Sequence, residues 1–271
     1  MDYVQEELSS RTVARQYYLD CNSMKKTESI LAGFACGLVG YHEFQRLFIS
    51  GKISEEMLSD MPVCIVDYLV AETSLNVLDQ LELRDKLREW GYANRPTAKQ
   101  FSKAKIEAFD RVKSRIISAF KDVALGSGMT LAQANAVDSY QSEEDQKLAR
   151  QRDKNIAWQD YPLQDLEGFT ALLYLDAEGF AFYIPAYLCW CVDKCLSDPF
   201  SNIASETFGA FDPELYGFER RVGALSTLQK IAVKEFLWLF AVHSDIYREA
   251  CVSGLEALGP IDFETASLGQ V

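Results

Sequence analysis

The stretch from Thr170 to Leu196 constrains the fold more than any other part of the chain. It reads T-A-L-L-Y-L-D-A-E-G-F-A-F-Y-I-P-A-Y-L-C-W-C-V-D-K-C-L. Residues 172–175 and 180–184 are apolar runs of strand length, and the D-A-E-G between them suits a type I turn with its glycine in the left-handed conformation. The pattern predicts a β-hairpin. A buried helix should follow from Pro185, because proline fits the first turn of a helix.

The rest of the sequence indicates helices. Apolar residues recur every three or four positions between Ser9 and Trp90, which is the helical period. Capping-box pairs, in which each side chain bonds the other's free backbone donor, mark further helix starts at Thr97, Thr130 and Ser226. Helices are predicted near 3–20, 25–48, 55–70, 74–90, 97–123, 130–155, 186–196, 226–242 and 246–258, with a short strand at 206–211.

These elements predict an α+β fold that is predominantly helical, with a small antiparallel β-hairpin or sheet in the C-terminal half. The segment G-Y-A-N-R-P at 91–96 is the candidate junction, since glycine, asparagine and proline interrupt regular structure. We therefore predict an N-terminal helical region over residues 1–95 and a C-terminal α+β domain over residues 96–271. A chain of 271 residues with 48% hydrophobic residues can bury one large core or two ordinary ones.

The formal net charge of −13 argues against a nucleic-acid binder, because phosphate contact needs concentrated Lys and Arg. Residues 96–125 hold seven basic and three acidic side chains, whereas residues 126–271 hold ten basic and 22 acidic ones. The simplest interpretation is that the basic helix lies beside acidic surface of the same chain. The alternative is an anionic ligand along the helix from Lys103 to Lys121. A basic partner would be attracted to this protein.

The sequence also predicts a cytoplasmic protein. The N-terminus lacks the positive lead and apolar run of a secretory signal, and the longest apolar windows span about a dozen residues, short of the ~20 that a membrane crossing needs. Seven cysteines scattered over the chain fit reduced, buried thiols better than a disulfide framework. We expect no membrane association and no nucleic-acid partner.

Three separated segments resemble an uncharacterised family of bacterial proteins known only as a domain of unknown function. The segments are Trp158 with Pro162, the core L-D-A-E-G-F-x-F-Y-I-P-A-Y at 175–187, and L-x-x-L-Q-x-x-x-V-x-x-F-L at 225–237. The resemblance covers roughly residues 116–242 and implies a soluble bacterial domain. It implies no catalytic residue, and the first 95 residues lie outside it.

No motif in the sequence predicts a metal, a cofactor or a catalytic centre. The only histidines, His42 and His243, lack a second ligand at a suitable spacing. On a helix, Cys191 and Cys195 lie roughly 200° and 240° from Cys189, so the three thiols do not converge on one ion. Gly126-Ser127-Gly128 is too short for a phosphate cradle and follows a helix, which does not support a nucleotide-binding loop.

Acidic and aromatic residues in and near the stretch from Thr170 to Leu196 are the candidates for partner binding. The geometry of the predicted turn explains the presence of Asp176 and Glu178. Contact with a partner and catalysis are the alternative roles for these two acids. Two interpretations, packing in the core and stacking on a ligand, apply to the aromatic residues Tyr174, Tyr183, Tyr187 and Trp190. The predicted partner-binding residues are Trp158, Tyr161, Asp176, Glu178 and Tyr183.

The leading hypothesis is a non-enzymatic acidic interaction protein. It would be an inhibitor or immunity protein that binds a basic protein partner such as a bacterial toxin, because acidic surface ringed by aromatic residues favours fast and specific capture. The alternative is an enzyme with a carboxylate-centred site near the predicted hairpin, built from Asp176, Glu178 and acids of residues 197–224.

Overall fold

Helices make up the regular structure of the chain. A computed structural model describes residues 77–94, 98–152, 156–167 and 171–259, and no strand is present in these ranges. The α-helices are α1 (Val77–Asn94), α2 (Ala98–Phe120), α3 (Leu131–Asp138), α4 (Glu143–Arg152), α5 (Leu163–Glu167), α6 (Ala177–Trp190), α7 (Asn202–Gly209), α8 (Phe218–Gly223), α9 (Thr227–His243) and α10 (Arg248–Leu258). Turns of 3-10 helix at Trp158–Asp160 and Leu172–Tyr174 and a π-helical turn at Cys191–Cys195 connect some of them.

The chain divides into two compact units, residues 1–111 and 112–271. In the first unit, α1 buries Leu81, Leu83 and Leu87, and it confirms the helix predicted near 74–90. Several other predictions lie outside the described residues: the helices near 3–20, 25–48 and 55–70, the domain boundary at residues 95 and 96, and the capping box that starts at Thr97.

The β-hairpin predicted around D-A-E-G is wrong. Residues 172–174 form a 3-10 turn, and α6 begins directly after Asp176. The Asp176 Oδ1 atom accepts a hydrogen bond from the Gly179 backbone N–H at 2.7 Å, which makes Asp176 the N-cap of α6. An aspartate that bonds a nearby backbone N–H either closes a turn or starts a helix, so D-A-E-G fits both structures. The predicted α+β class is therefore replaced by a helical one for the part of the chain that the structure describes.

Burial on every side explains why the strand-like run F-A-F-Y-I is helical. From Gly179 to Leu188, every residue of α6 is buried except Ala181. A helix that is apolar on all sides is buried in the centre of a core. The sequence pattern of such a short apolar run does not distinguish a buried helix from a buried strand. Pro185 lies inside α6 and not at its start. It has no N–H to donate to the Ala181 carbonyl, a loss that the packing of α7 and α8 against α6 offsets.

The structure differs from two further predictions. The helix predicted over 130–155 is divided, because α3 ends at Asp138 and α4 begins at Glu143. Its start is confirmed, since Thr130 Oγ1 accepts a hydrogen bond from the Gln133 N–H at 3.1 Å. The short strand predicted at 206–211 is wrong, because most of that segment belongs to α7.

Aromatic stacking and close helix contact build the rest of the second unit's core. Phe208 of α7 stacks on Phe236 of α9 and on Tyr247, with ring centroids 5.5 Å and 4.0 Å apart. Helix α9 packs along α10, and its predicted capping box at Ser226 has both hydrogen bonds in place. These helices form the scaffold against which α7 is held.

Candidate functional site

Asp176 and Glu178, two of the predicted partner-binding residues, attach the start of α6 to the loop before α3. Asp176 Oδ1 also accepts a hydrogen bond from the Met129 N–H at 2.9 Å, and Glu178 accepts one from the Ser127 hydroxyl at 2.6 Å. The two backbones touch, since a Cβ on Gly179 would lie 2.3 Å from the Met129 carbonyl oxygen. Both carboxylates thus serve mainly to hold the start of α6 against the loop before α3.

The three predicted aromatic residues lie together, farther along α6. Tyr183 is fully buried and meets Tyr161 edge to face, with ring centroids 5.2 Å apart. Trp158 donates its indole N–H to the Phe120 carbonyl at 2.9 Å. Trp158 and Tyr161 line a groove with a cavity volume of about 230 Å³.

The rim of this groove is charged. Lys113 forms an ion pair with Asp193 at 2.7 Å there. Together with the 3.5 Å contact between Arg115 and Glu235, this pair supports the interpretation that basic residues of α2 pair with acids of the same chain.

A second group of polar residues, which we call the Glu206 cluster, consists of Asp138, Tyr174, Tyr187, Glu206 and Arg221. The Tyr174 hydroxyl donates a hydrogen bond to Asp138, and this bond is the main reason that the pKa of Tyr174 is raised. Five elements supply these residues: α3, the 3-10 turn at Leu172–Tyr174, and the helices α6, α7 and α8. The cluster extends from exposed Tyr174 to fully buried Tyr187 and Arg221.

Glu206 is the half-buried carboxylate at the centre of the cluster. One of its oxygens accepts a hydrogen bond from the Leu172 N–H at 3.1 Å. Burial raises the pKa of Glu206, the negative charge of Asp138 raises it further, and the Leu172 bond and the Arg221 charge oppose them. Burial therefore outweighs the Leu172 hydrogen bond and the Arg221 charge at this carboxylate.

Arg221 holds backbone carbonyls and makes no ion pair with Glu206 among the described residues. Its Nη1 atom donates to the carbonyls of Tyr216, at 2.5 Å, and Leu173, at 3.4 Å. Its Nε atom donates to the Ala210 carbonyl at 3.3 Å. Burial lowers the pKa of Arg221 to about 10. Arg221 therefore fixes the loops around the cluster by bonding three backbone carbonyls.

Two buried polar atoms of the cluster have no hydrogen-bond partner in the described chain: the Tyr187 hydroxyl and Arg221 Nη2. Burial raises the pKa of Tyr187, and the charge of Glu206 is the next cause. An unsatisfied buried polar group normally costs about 1–3 kcal/mol of stability. The cluster thus contains two buried polar atoms with unused hydrogen-bonding capacity.

Tyr140 lies at the exposed edge of the Glu206 cluster, two residues after Asp138. Its side chain is 96% exposed, and its backbone φ of 54° is the only positive value found at a non-glycine position in the described residues. The N–H groups of Tyr140 and Gln141 donate to the carbonyls of Val137 and Ala136. This pair of bonds is the Schellman ending of a helix, and Tyr140 occupies the position where glycine is usual.

Within the described residues, no group of three or more His, Cys, Asp or Glu side chains is placed to hold a metal ion. Cys191 and Cys195 are buried and hydrogen-bonded to each other. Cys189 lines the groove, and burial raises its pKa to about 12. His243 ends α9, and His42 lies outside the described residues. None of the described helices is both long and apolar enough to cross a bilayer.

Sequence reasoning did not single out Asp138, Tyr140, Glu206 or Arg221. Of the cluster, it weighed only Tyr174 and Tyr187 as possible ligand-stacking residues. No sequence signal marked Tyr140, because the helix predicted over 130–155 runs through it, whereas α3 ends at Asp138 in the structure. A tyrosine at a helix end is a local violation of the usual pattern, and such violations concentrate at functional sites.

No curated protein and no solved structure matches the chain. One family model does match, over residues 109–255, which are more than half of the chain and include the whole Glu206 cluster. This match confirms the resemblance to an uncharacterised domain. The chain belongs to the family of unknown function DUF6714.

Proposed function

We propose that this protein is a non-enzymatic interaction protein of the cytoplasm, an inhibitor or immunity protein that binds a basic protein partner such as a bacterial toxin. The observation that carries the proposal is Tyr140. Its ring gains almost nothing from burial, and its backbone holds a conformation that costs an L-residue about 1–2 kcal/mol. Strain of this kind at an exposed aromatic residue is typical of a binding site, where the partner supplies the contact.

Charge supports a basic partner. Asp138 precedes Tyr140, and the exposed acids Glu143, Glu144 and Asp145 form the first turn of α4 just after it. An aromatic residue surrounded by carboxylates provides both a contact for the centre of an interface and a negative field that attracts a positive protein. Tyr174 and the carboxylate of Glu206 extend the same acidic surface.

The test is comparative capture from the native cells. Tagged wild-type protein should retain a basic protein at low salt and release it as salt rises, because exposed charge pairs are screened. The Tyr140→Gly variant should lose the same protein. Phe200→Ala is the matched control, since Phe200 is an 81% exposed aromatic residue outside the Glu206 cluster. Equal retention by the Tyr140 variant, or repeated recovery of the bait alone after crosslinking, would refute the proposal.

The carboxylate-centred enzyme is the second candidate function, because one acid of residues 197–224 has the expected property. Glu206 has a raised pKa beside a second carboxylate, Asp138, and perturbed acids of this kind occur at catalytic sites. Asp176 and Glu178 would then position α6. A screen of ester, amide and phosphoester substrates tests this function, with any turnover expected to disappear in Glu206→Gln.

A further inference from the structure

We propose that the groove beside Trp158 and Tyr161 is a binding site for a small aromatic carboxylic acid, with the ring against its aromatic walls and the carboxylate at Lys194. Its cavity volume of about 230 Å³ exceeds the ~150 Å³ that accommodates a benzene ring and is smaller than the ~300–1,000 Å³ of sites for drug-sized ligands. The groove thus has room for one ring and a short acidic substituent. None of its lining residues belongs to the Glu206 cluster, so this inference is independent of the proposed function.

Apolar and aromatic side chains from three parts of the chain form the walls of the groove. Trp158 and Tyr161 come from the 3-10 turn and the residue that follows it, Ile117 comes from α2, and Ala186 comes from α6. The Trp158 ring is held in place because its indole N–H donates to the Phe120 carbonyl at 2.9 Å. Aromatic rings that are fixed in this way can contact a ligand ring edge to face or in an offset stack.

The end of α6 and the turn after it supply the polar groups of the groove. Cys189 and Asp193 are four residues apart, as are Trp190 and Lys194, and residues at this spacing are neighbours on a helix. All four line the groove. Asp193 and Lys194 lie in the π-helical turn Cys191–Cys195, and turns of this type occur frequently at functional sites.

The charges of the rim favour an anion. The Lys113 ammonium group donates to both carboxylate oxygens of Asp193, at 2.8 and 2.7 Å, so these two charges compensate each other. Lys194 is exposed and makes no ion pair among the described residues, which leaves it as the uncompensated charge of the rim. Burial raises the pKa of Cys189 to about 12, so its thiol is neutral at neutral pH and adds no negative charge.

Trp190 supplies an unused hydrogen-bond donor. Its side chain is largely buried, yet its indole N–H donates to no acceptor within the part of the chain that the structure describes. This N–H is not one of the buried polar atoms without a partner, so it is accessible, and the open space that Trp190 lines is the groove. A carboxylate in the groove can therefore accept from this N–H and from the Lys194 ammonium group together.

The experiment is a fluorescence titration of the full chain with phenylacetate, because Trp158 and Trp190 line the groove and report on its occupancy. Phenylacetamide is the matched neutral ligand, since it keeps the ring and a carbonyl that can accept the Trp190 N–H. We expect a saturable change with both ligands and about two- to fivefold tighter binding of the acid, which is the effect of one exposed charge pair. The cation phenethylamine should bind more weakly than either.

Three variants separate the effect of charge from the effect of shape. Lys194→Gln should remove the preference for phenylacetate and leave the binding of phenylacetamide unchanged. Ile117→Ala should weaken both ligands by about fourfold, the effect of one buried methylene group, and the fold should tolerate it because Ile117 is 41% exposed. Lys147→Gln is the matched control, since it changes an exposed lysine of α4 outside the groove, and it should alter neither affinity.

Absence of a saturable signal with phenylacetate in the millimolar range would overturn the inference. Equal affinity of the wild-type protein for phenylacetate and phenylacetamide, or an unchanged preference for the acid in Lys194→Gln, would overturn it as well. The dipeptide acetyl-glycyl-phenylalanine carries the same ring and carboxylate on a longer chain, and it should bind more weakly than phenylacetate because the groove has no room for the added residue. Tighter binding of the dipeptide would refute a small-molecule site.

Discussion

Replacing Tyr140 with glycine is expected to stabilise the protein while it weakens partner binding. The φ of 54° at Tyr140 costs an L-residue about 1–2 kcal/mol, whereas glycine adopts it freely. Glycine adds about 0.5–1 kcal/mol of backbone entropy to the unfolded state. The ring is 96% exposed, so its removal forfeits little apolar burial. The difference leaves a gain of about 0.5–1 kcal/mol in the free energy of unfolding.

A gain of this size corresponds to a rise of roughly 1–4 °C in Tm for a unit of 150 to 250 residues. Differential scanning calorimetry and urea unfolding of the purified chain would measure it. Tyr140→Ala is the matched control, because alanine removes the same ring but keeps the left-handed strain, and it should leave Tm unchanged. Equal Tm values for the glycine and alanine variants, or a lower Tm for glycine, would show that the backbone at this position is not strained and that the argument for Tyr140 fails.

Three other substitutions test the structure. Glu206→Gln should be more stable than wild type at neutral pH. Because the pKa of Glu206 is raised, the folded protein binds the Glu206 proton more tightly than the unfolded chain does. The stability of the wild-type protein therefore falls as pH rises through the raised pKa of Glu206. The advantage should shrink below pH 4.5, which unfolding at several pH values would show. Gly179→Ala should destabilise by more than about 2 kcal/mol in urea unfolding, because its Cβ would meet the Met129 carbonyl oxygen. Ser226→Ala should cost about 1 kcal/mol in the same assay, because it removes the cap that bonds the Gln229 N–H.

Local chemistry was read correctly where a few neighbouring residues decide the structure. The caps at Thr130 and Ser226 depend on bonds that span three residues, and both are present. The same kind of local bond misled the prediction at Asp176, because it starts α6 and would equally close a turn. The helix is favoured over the turn because the following ten residues become largely buried in it. That burial depends on the tertiary structure and is not visible in the local sequence.

The sequence by itself determined where several helices begin, that the chain is acidic, and that it resembles a family without an assigned activity. Only the tertiary structure decided that Asp138, Tyr187 and Glu206, which are far apart in the chain, meet in one cluster. It also decided that the Tyr140 ring points into solvent from a strained backbone. The physical reason is that burial, and the electrostatic shifts that follow from it, depend on which helices pack together, whereas a cap depends only on its own turn.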